Sequence, residues 1–156
     1  MNVENRSGNG MLRFMELIIE NKKGEILNEI VSGEDLVLNL KYQTNGFVDK
    51  LAFLLDIRIK DVSGIELVAL STEEMGEKFN DFKEEGYIQI IFDEFIFRGG
   101  KYFFDIHSSL KINKRVALDN LMNAFAIEVI PGDYYNTGTS NNNNSVFLMK
   151  SEIKNI

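Results

Sequence analysis

The sequence predicts an all-β fold, an antiparallel β-sandwich of Ig-like or jelly-roll type with about eight strands. Three observations carry that reading: short apolar runs that alternate with the two-residue strand period, glycine- and asparagine-rich breaks between them, and no long amphipathic helix. A lipocalin-like barrel is the alternative architecture. At 156 residues the chain has room for one continuous core.

Residues 1–10, MNVENRSGNG, are polar and glycine-rich without periodicity, and read as a flexible leader or interdomain linker. The β-sandwich domain then occupies 11–156. Residues 11–20, MLRFMELIIE, read as a strand and 21–24, NKKG, as a turn; 27–31 form a short strand that ends at Ser32 and Gly33. Residues 34–44 alternate cleanly, with Leu36, Leu38, Leu40 and Tyr42 on one side and Val37, Asn39, Lys41 and Gln43 on the other. In 51–60, Phe53, Leu55, Ile57 and Ile59 point inward while Leu54, Asp56, Arg58 and Lys60 point outward. DVSG at 61–64 turns the chain into a return strand over 65–71.

Residues 72–86 are acidic, with Phe79 and Phe82 scattered among carboxylates, and predict a long connection holding one helical turn. A strand over 87–97 follows. The glycines at 99 and 100 open the clearest strand of all: Tyr102, Phe104 and Ile106 face one way, Lys101, Phe103, Asp105 and His107 the other. Residues 113–123 read ambiguously between helix and strand, whereas 123–130 alternate again with Phe125, Ile127 and Val129 inward. Pro131, the only proline, stops that strand. Residues 134–144 are an asparagine-rich low-complexity stretch expected as a mobile loop, and 145–153 a last strand able to pair with a neighbouring copy.

Composition narrows function. A net charge of -7 and the lack of any basic patch argue against nucleic acid, whose phosphates are bound by clustered Lys and Arg. There is no cysteine and a single histidine, so disulfides, thiolate chemistry and an ordinary zinc site are not expected, and no cofactor is predicted. No P-loop, G-x-S-x-G, H-E-x-x-H or EF-hand loop occurs, and SGNG at 7–10 precedes a strand rather than opening a helix. The expectation is a non-enzyme. No apolar run approaches a membrane span and no signal peptide is evident, which predicts a cytosolic protein; the sequons at Asn5 and Asn143 are read as chance.

Candidate ligand contacts come from the outward positions. If the strands around 51, 101 and 123 share a sheet, Asp56, Arg58, Phe103, Asp105, His107 and Glu128 form one outer face. That face combines an aromatic platform with hydrogen-bonding side chains, the pairing that neutral sugars require. Each residue also has a structural reading: Arg58 as a cross-strand ion pair with Asp105 or Glu128, Phe103 as packing beneath a loop, His107 as an exposed strand residue. Paired carboxylates such as Asp56 with Asp105 are expected by chance in so acidic a chain.

The order of SGNG (7–10), SGEDLVLNLKY (32–42), IKDVSGIELVALST (59–72), GYIQIIF (86–92), GGKYFFDIHSS (99–109) and NAFAIEV followed by PGDYYNTG (123–138) resembles the C-terminal domain of Wzt-type proteins, the ATP-binding subunits of polysaccharide ABC transporters that export O antigen. The resemblance implies a β-sandwich that binds the exported glycan, a homodimer with exchanged terminal strands, and a membrane-embedded transporter reached through an upstream ATPase domain at the inner face of the inner membrane. It differs from that family in its closing sequence, SEIKNI, where an aromatic is usual, and the sequence as given reads either as an excised domain that starts near an interdomain linker or as a stand-alone homologue. A structural or protein-interaction sandwich with no glycan ligand is the alternative function.

Overall fold

A computed structural model describes residues 1–155. Nine strands form two sheets: β1 (Arg6–Ser7), β2 (Leu12–Glu20), β3 (Ile30–Val31), β4 (Leu36–Thr44), β5 (Phe53–Lys60), β6 (Glu66–Ser71), β7 (Glu85–Phe92), β8 (Gly100–Lys111) and β9 (Arg115–Ile130), with one helical turn, α1 (Thr72–Met75), after β6. The larger sheet runs β1-β9-β8-β5-β6 with β3 also on β9, and the smaller runs β2-β4-β7. Two separate sheets make this a sandwich and not a barrel.

Alternation explains the core. Leu36, Leu38, Leu40 and Tyr42 of β4, with Leu12 and Phe14 of β2, meet Phe53, Leu55, Ile57 and Ile59 of β5 and Tyr102, Phe104 and Ile106 of β8. All are buried; those of β4, β5 and β8 lie on the faces that alternation set apart, while Leu12 and Phe14 come from a stretch for which no inward side was expected. Phe95 and Phe97 stack at 4.8 Å and close one end of the sandwich.

Several expectations are corrected by long-range pairing. The ambiguous stretch 113–123 and the strand 123–130 are one strand, β9, whose register against β8 shifts around Asp105; there Asn123 takes φ 49°. A bulge hides strand periodicity because extra residues break the alternation. The strand expected over 27–31 shrinks to β3, which lies parallel to the end of β9. That expected over 87–97 runs from Glu85 only to Phe92. The last expected strand, 145–153, is a single bridge of Phe147 with Phe97, while Leu148 is buried and donates its N–H to the Ile96 carbonyl at 2.7 Å.

The leader differs most. Residues 1–10 lie along β9: Asn2 N–H donates to Ala124 O at 2.6 Å, Asn9 to Ala117 O at 3.1 Å and Gly10 to Leu118 O at 2.9 Å. Gly8, at φ 121°, passes so close to β9 that a Cβ there would stand 2.4 Å from Leu118 O, so only glycine permits the approach. Arg6 then clamps both sheets. Its Nε lies 2.9 Å from the carboxylate of Asp119 on β9, and its guanidinium also donates to the Phe14 carbonyl on β2. Polar tripeptide-scale sequence gave no sign of this, since the partners are more than a hundred residues away.

Candidate functional site

The strands β5, β8 and β9 do lie side by side, and register places all six candidate residues on the outer face of the larger sheet. Asp56 is opposite His107, Arg58 opposite Asp105, Lys60 opposite Phe103, and Lys101 opposite Glu128. Directly opposed residues of an antiparallel pair have Cβ atoms about 4.5–5.5 Å apart, so each pair is in side-chain contact range.

Ion pairing divides the face. Arg58, about half exposed, reaches sideways to Glu66 of β6 at 3.2 Å, not to Asp105 or Glu128 as expected. Glu66, the one carboxylate of β6, lies opposite Lys60, two residues along β5 from Arg58, and so falls within reach of the long side chain. Asp56 accepts from Arg115 at 3.0 Å; Arg115 also holds Glu73 of α1 at 2.9 Å, and Lys111 holds Glu73 as well. The hydrogen bond from Lys111 is the main reason the Glu73 carboxyl titrates below its ordinary range.

Asp105 requires correction as a surface contact. Its side chain is 3% exposed, ion-paired with Lys60 at 2.8 Å, and accepts the Asn123 N–H at 2.6 Å. The bulge in β9 frees that N–H from the ladder, and the carboxylate drops into the gap to satisfy it. Asp105 is a strut of the fold.

What remains open toward solvent is Arg58, Phe103, His107, Glu128 and the edge of Asp56. Phe103 is half-buried, with the Lys101 ammonium 5.5 Å from its ring centroid, so one ring face already holds a cation. Glu128 is exposed beside Lys101. His107 is half-buried between Asp56 and Asn120, and its Nε2 is buried with no hydrogen-bond partner within the chain. Among the described residues no cluster of three or more His, Cys, Asp or Glu is placed to hold a metal ion.

Sequence reasoning missed two features. One is a cleft of about 530 Å³ between the β6 and β7 edges, walled by Leu70, Ile90 and Phe92 and roofed by Met75, Phe79 and Phe82. Its signal was the two phenylalanines within the acidic connection, which pack on Phe53 at 4.8 and 4.6 Å. The other is an amide ladder across the smaller sheet: Gln89 Nε2 donates to Asn39 Oδ1 at 2.9 Å, and Asn39 Nδ2 donates to Glu20 at 2.8 Å. Its signal was a lone asparagine amid the leucines of β4. No helix is long and apolar enough to cross a membrane among the described residues.

No curated protein matches the chain in sequence. A solved structure described as the crystal structure of the C-terminal domain of wzt is similar over 97% of this chain and 87% of that one, with a TM-score of 0.76 at 13% identity, a likeness of fold. The family described as Wzt C-terminal domain matches residues 3–142, which takes in both sheets and the docked leader. By that match the chain belongs to the Wzt C-terminal domain family.

Proposed function

We propose that this chain is a non-enzymatic module that binds the exported polysaccharide, an O-antigen-type glycan, for an ABC transporter in the cytoplasm, through the outer face of its larger sheet. Family membership supplies the transporter context, with an upstream ATPase domain as the link to the membrane-embedded part. The observation that carries the glycan reading is the outer face that strand register assembles around His107, which lies half-buried between Asp56 and Asn120. Arg58 and Glu128 extend the polar contacts, and Phe103 offers the apolar flank. Each contact is weak, and two copies meeting a repeating polymer raise the affinity.

Calorimetric titration with lipid-free O polysaccharide from the source strain, beside one from an unrelated strain, tests this. Saturable heat with the native glycan only is expected. Arg58→Ala, Phe103→Ala and His107→Ala each weaken it while the molecular mass in solution stays constant. No heat with either glycan from folded protein overturns the reading and favours a protein-docking face.

A further inference from the structure

Two Asn-Gly pairs stand in the chain, Asn9–Gly10 and Asn45–Gly46, and the fold treats them oppositely. Asparagine is chemically labile where the next backbone nitrogen can attack its side-chain amide, and glycine favours that attack because it has no side chain to block it and turns freely. The Asn9 pair is held on both sides. Asn9 N–H donates to Ala117 O at 3.1 Å and Gly10 N–H to Leu118 O at 2.9 Å, both on β9, while Asn9 Oδ1 accepts the Met11 N–H at 2.9 Å. The nitrogen that would attack is committed to a strand, and the amide it would attack is committed to a turn.

The Asn45 pair lies in the connection between β4 and β5, outside any strand, and both of its residues are exposed. The Asn45 N–H donates to Met11 O at 2.8 Å, which anchors the residue without engaging the reacting groups. Among the described residues neither the Asn45 side-chain amide nor the Gly46 N–H has a hydrogen-bond partner. Gly46 sits at φ 114° with open space where a Cβ would stand. The asparagine-rich run at 141–144 is a poorer substrate for the same attack, since each of its residues is followed by another asparagine or by Ser145.

We propose that Asn45 is a self-modification site, where the folded chain converts to aspartate and isoaspartate while Asn9 stays intact. The Gly46 nitrogen loses its proton to solvent base and attacks Asn45 Cγ. A Cγ–N bond forms, the side-chain amide leaves as ammonia with a proton returned from solvent, and a cyclic succinimide remains. Water then opens the ring at either carbonyl. Attack at Cγ gives aspartate on the original backbone; attack at the Asn45 backbone carbonyl gives isoaspartate, whose chain runs through the side chain and is longer by a methylene. Atoms balance as amide plus water giving carboxylate plus ammonium, and no oxidant or reductant is consumed. Either product adds a negative charge beside Glu84 and Glu85, which border the same open cleft as Asn45 and Gly46. The isoaspartyl product also lengthens the backbone directly after Thr44, whose N–H donates to Glu84 O at 2.8 Å, so the end of the β4–β7 pairing loosens.

Peptide mapping by mass spectrometry tests this on the full chain, aged at mildly alkaline pH in water enriched in heavy oxygen. The Asn45 peptide is expected to convert at least about tenfold faster than the Asn9 peptide, the factor that corresponds to about 1.4 kcal/mol for opening the Gly10 contact with β9. Its product is expected to contain isoaspartate and to carry heavy oxygen, the marks of a succinimide opened by water. In urea the two peptides are expected to convert at similar rates, because sequence alone then governs them. Gly8→Ala, which pushes the leader away from Leu118 O, is expected to speed conversion of Asn9 and leave Asn45 unchanged. Asn45→Gln is expected to abolish the mass change in its peptide. Comparable conversion of Asn9 and Asn45 in the folded chain overturns the proposal; so do an Asn45 peptide that changes only in urea, and aspartate formed there without isoaspartate. None of these readouts involves glycan, so their outcome is separate from the glycan reading.

Discussion

Replacing Asp105 by alanine removes one member of a buried pair and one backbone acceptor at once. Lys60 is 14% exposed at its side chain and Asp105 3%, so the ammonium left behind has little access to water. Breaking a buried ion pair from one side costs about 3–5 kcal/mol, and an orphaned buried N–H about 1–3 kcal/mol. The two overlap at this site, and the expected loss for Asp105→Ala is about 4 kcal/mol. Asp105→Asn keeps an oxygen for the Asn123 N–H and gives up only the charge, which the flexible lysine offsets by moving outward; about 1–2 kcal/mol is expected. Adding Lys60→Met to Asp105→Asn removes the stranded charge and is expected to recover most of that loss. Urea unfolding at pH 7, followed by far-ultraviolet circular dichroism, reads all three. With a slope near 2 kcal/mol/M the alanine variant's midpoint falls by about 2 M. If the alanine and asparagine variants unfold together, or both lie within about 0.5 kcal/mol of the parent, Asp105 is no strut and the bulge is held by other means.

Gly8→Ala forces a Cβ into the Leu118 carbonyl at a φ that L-residues avoid; a loss of about 1–3 kcal/mol and faster amide exchange at Asn9 and Gly10 are expected, and unchanged exchange would mean that the leader is not held by β9. Burial raises the Asp119 carboxyl above its ordinary 3.8, against the pull of the Phe14 N–H and of Arg6 and Arg13. Such a group stabilises the folded state below 3.8 and loses that contribution as pH rises through its folded value, so Asp119→Asn gains on the parent as pH rises from there; urea midpoints across pH 3.5–7 of both proteins check the sign. Asp133 has the opposite behaviour, held low first by the Thr137 N–H and then by the Gly138 N–H, so its contribution is present above 3.8 and disappears on acidification. Amide exchange at Thr137 and Gly138 is expected to be faster in Asp133→Ala.

The acid turn at Asp133 also shows how far composition carries. A stretch as rich in asparagine as 134–144 reads as low complexity, yet Asp133 hydrogen-bonds Thr137 N at 3.0 Å and Gly138 N at 2.7 Å, and Asn141 is buried against Gly132. One residue before the stretch organises its first turn, and composition averages that residue away. At the candidate site the sequence placed all six side chains on one side of one sheet, because the two-residue period decides facing locally. It misjudged Asp105 because facing is not exposure. The burial of that carboxylate depends on a bulge in β9, made by residues nearly twenty positions later.

By itself, then, the sequence determined the sandwich class, the inward set of β4, β5 and β8, a helical turn somewhere within 72–86, the lack of cysteine and the resemblance to the Wzt C-terminal domain. Each follows from short-range pattern, residue inventory or the order of motifs along the chain. Only the tertiary structure decided which carboxylate pairs with which cation, that the leader lies along β9 with Arg6 clamped to Asp119, and that the terminal segment makes a single bridge. Those outcomes depend on which strands become neighbours. Neighbour choice is a long-range competition among edges of similar local chemistry, and the two-residue period is the same for all of them.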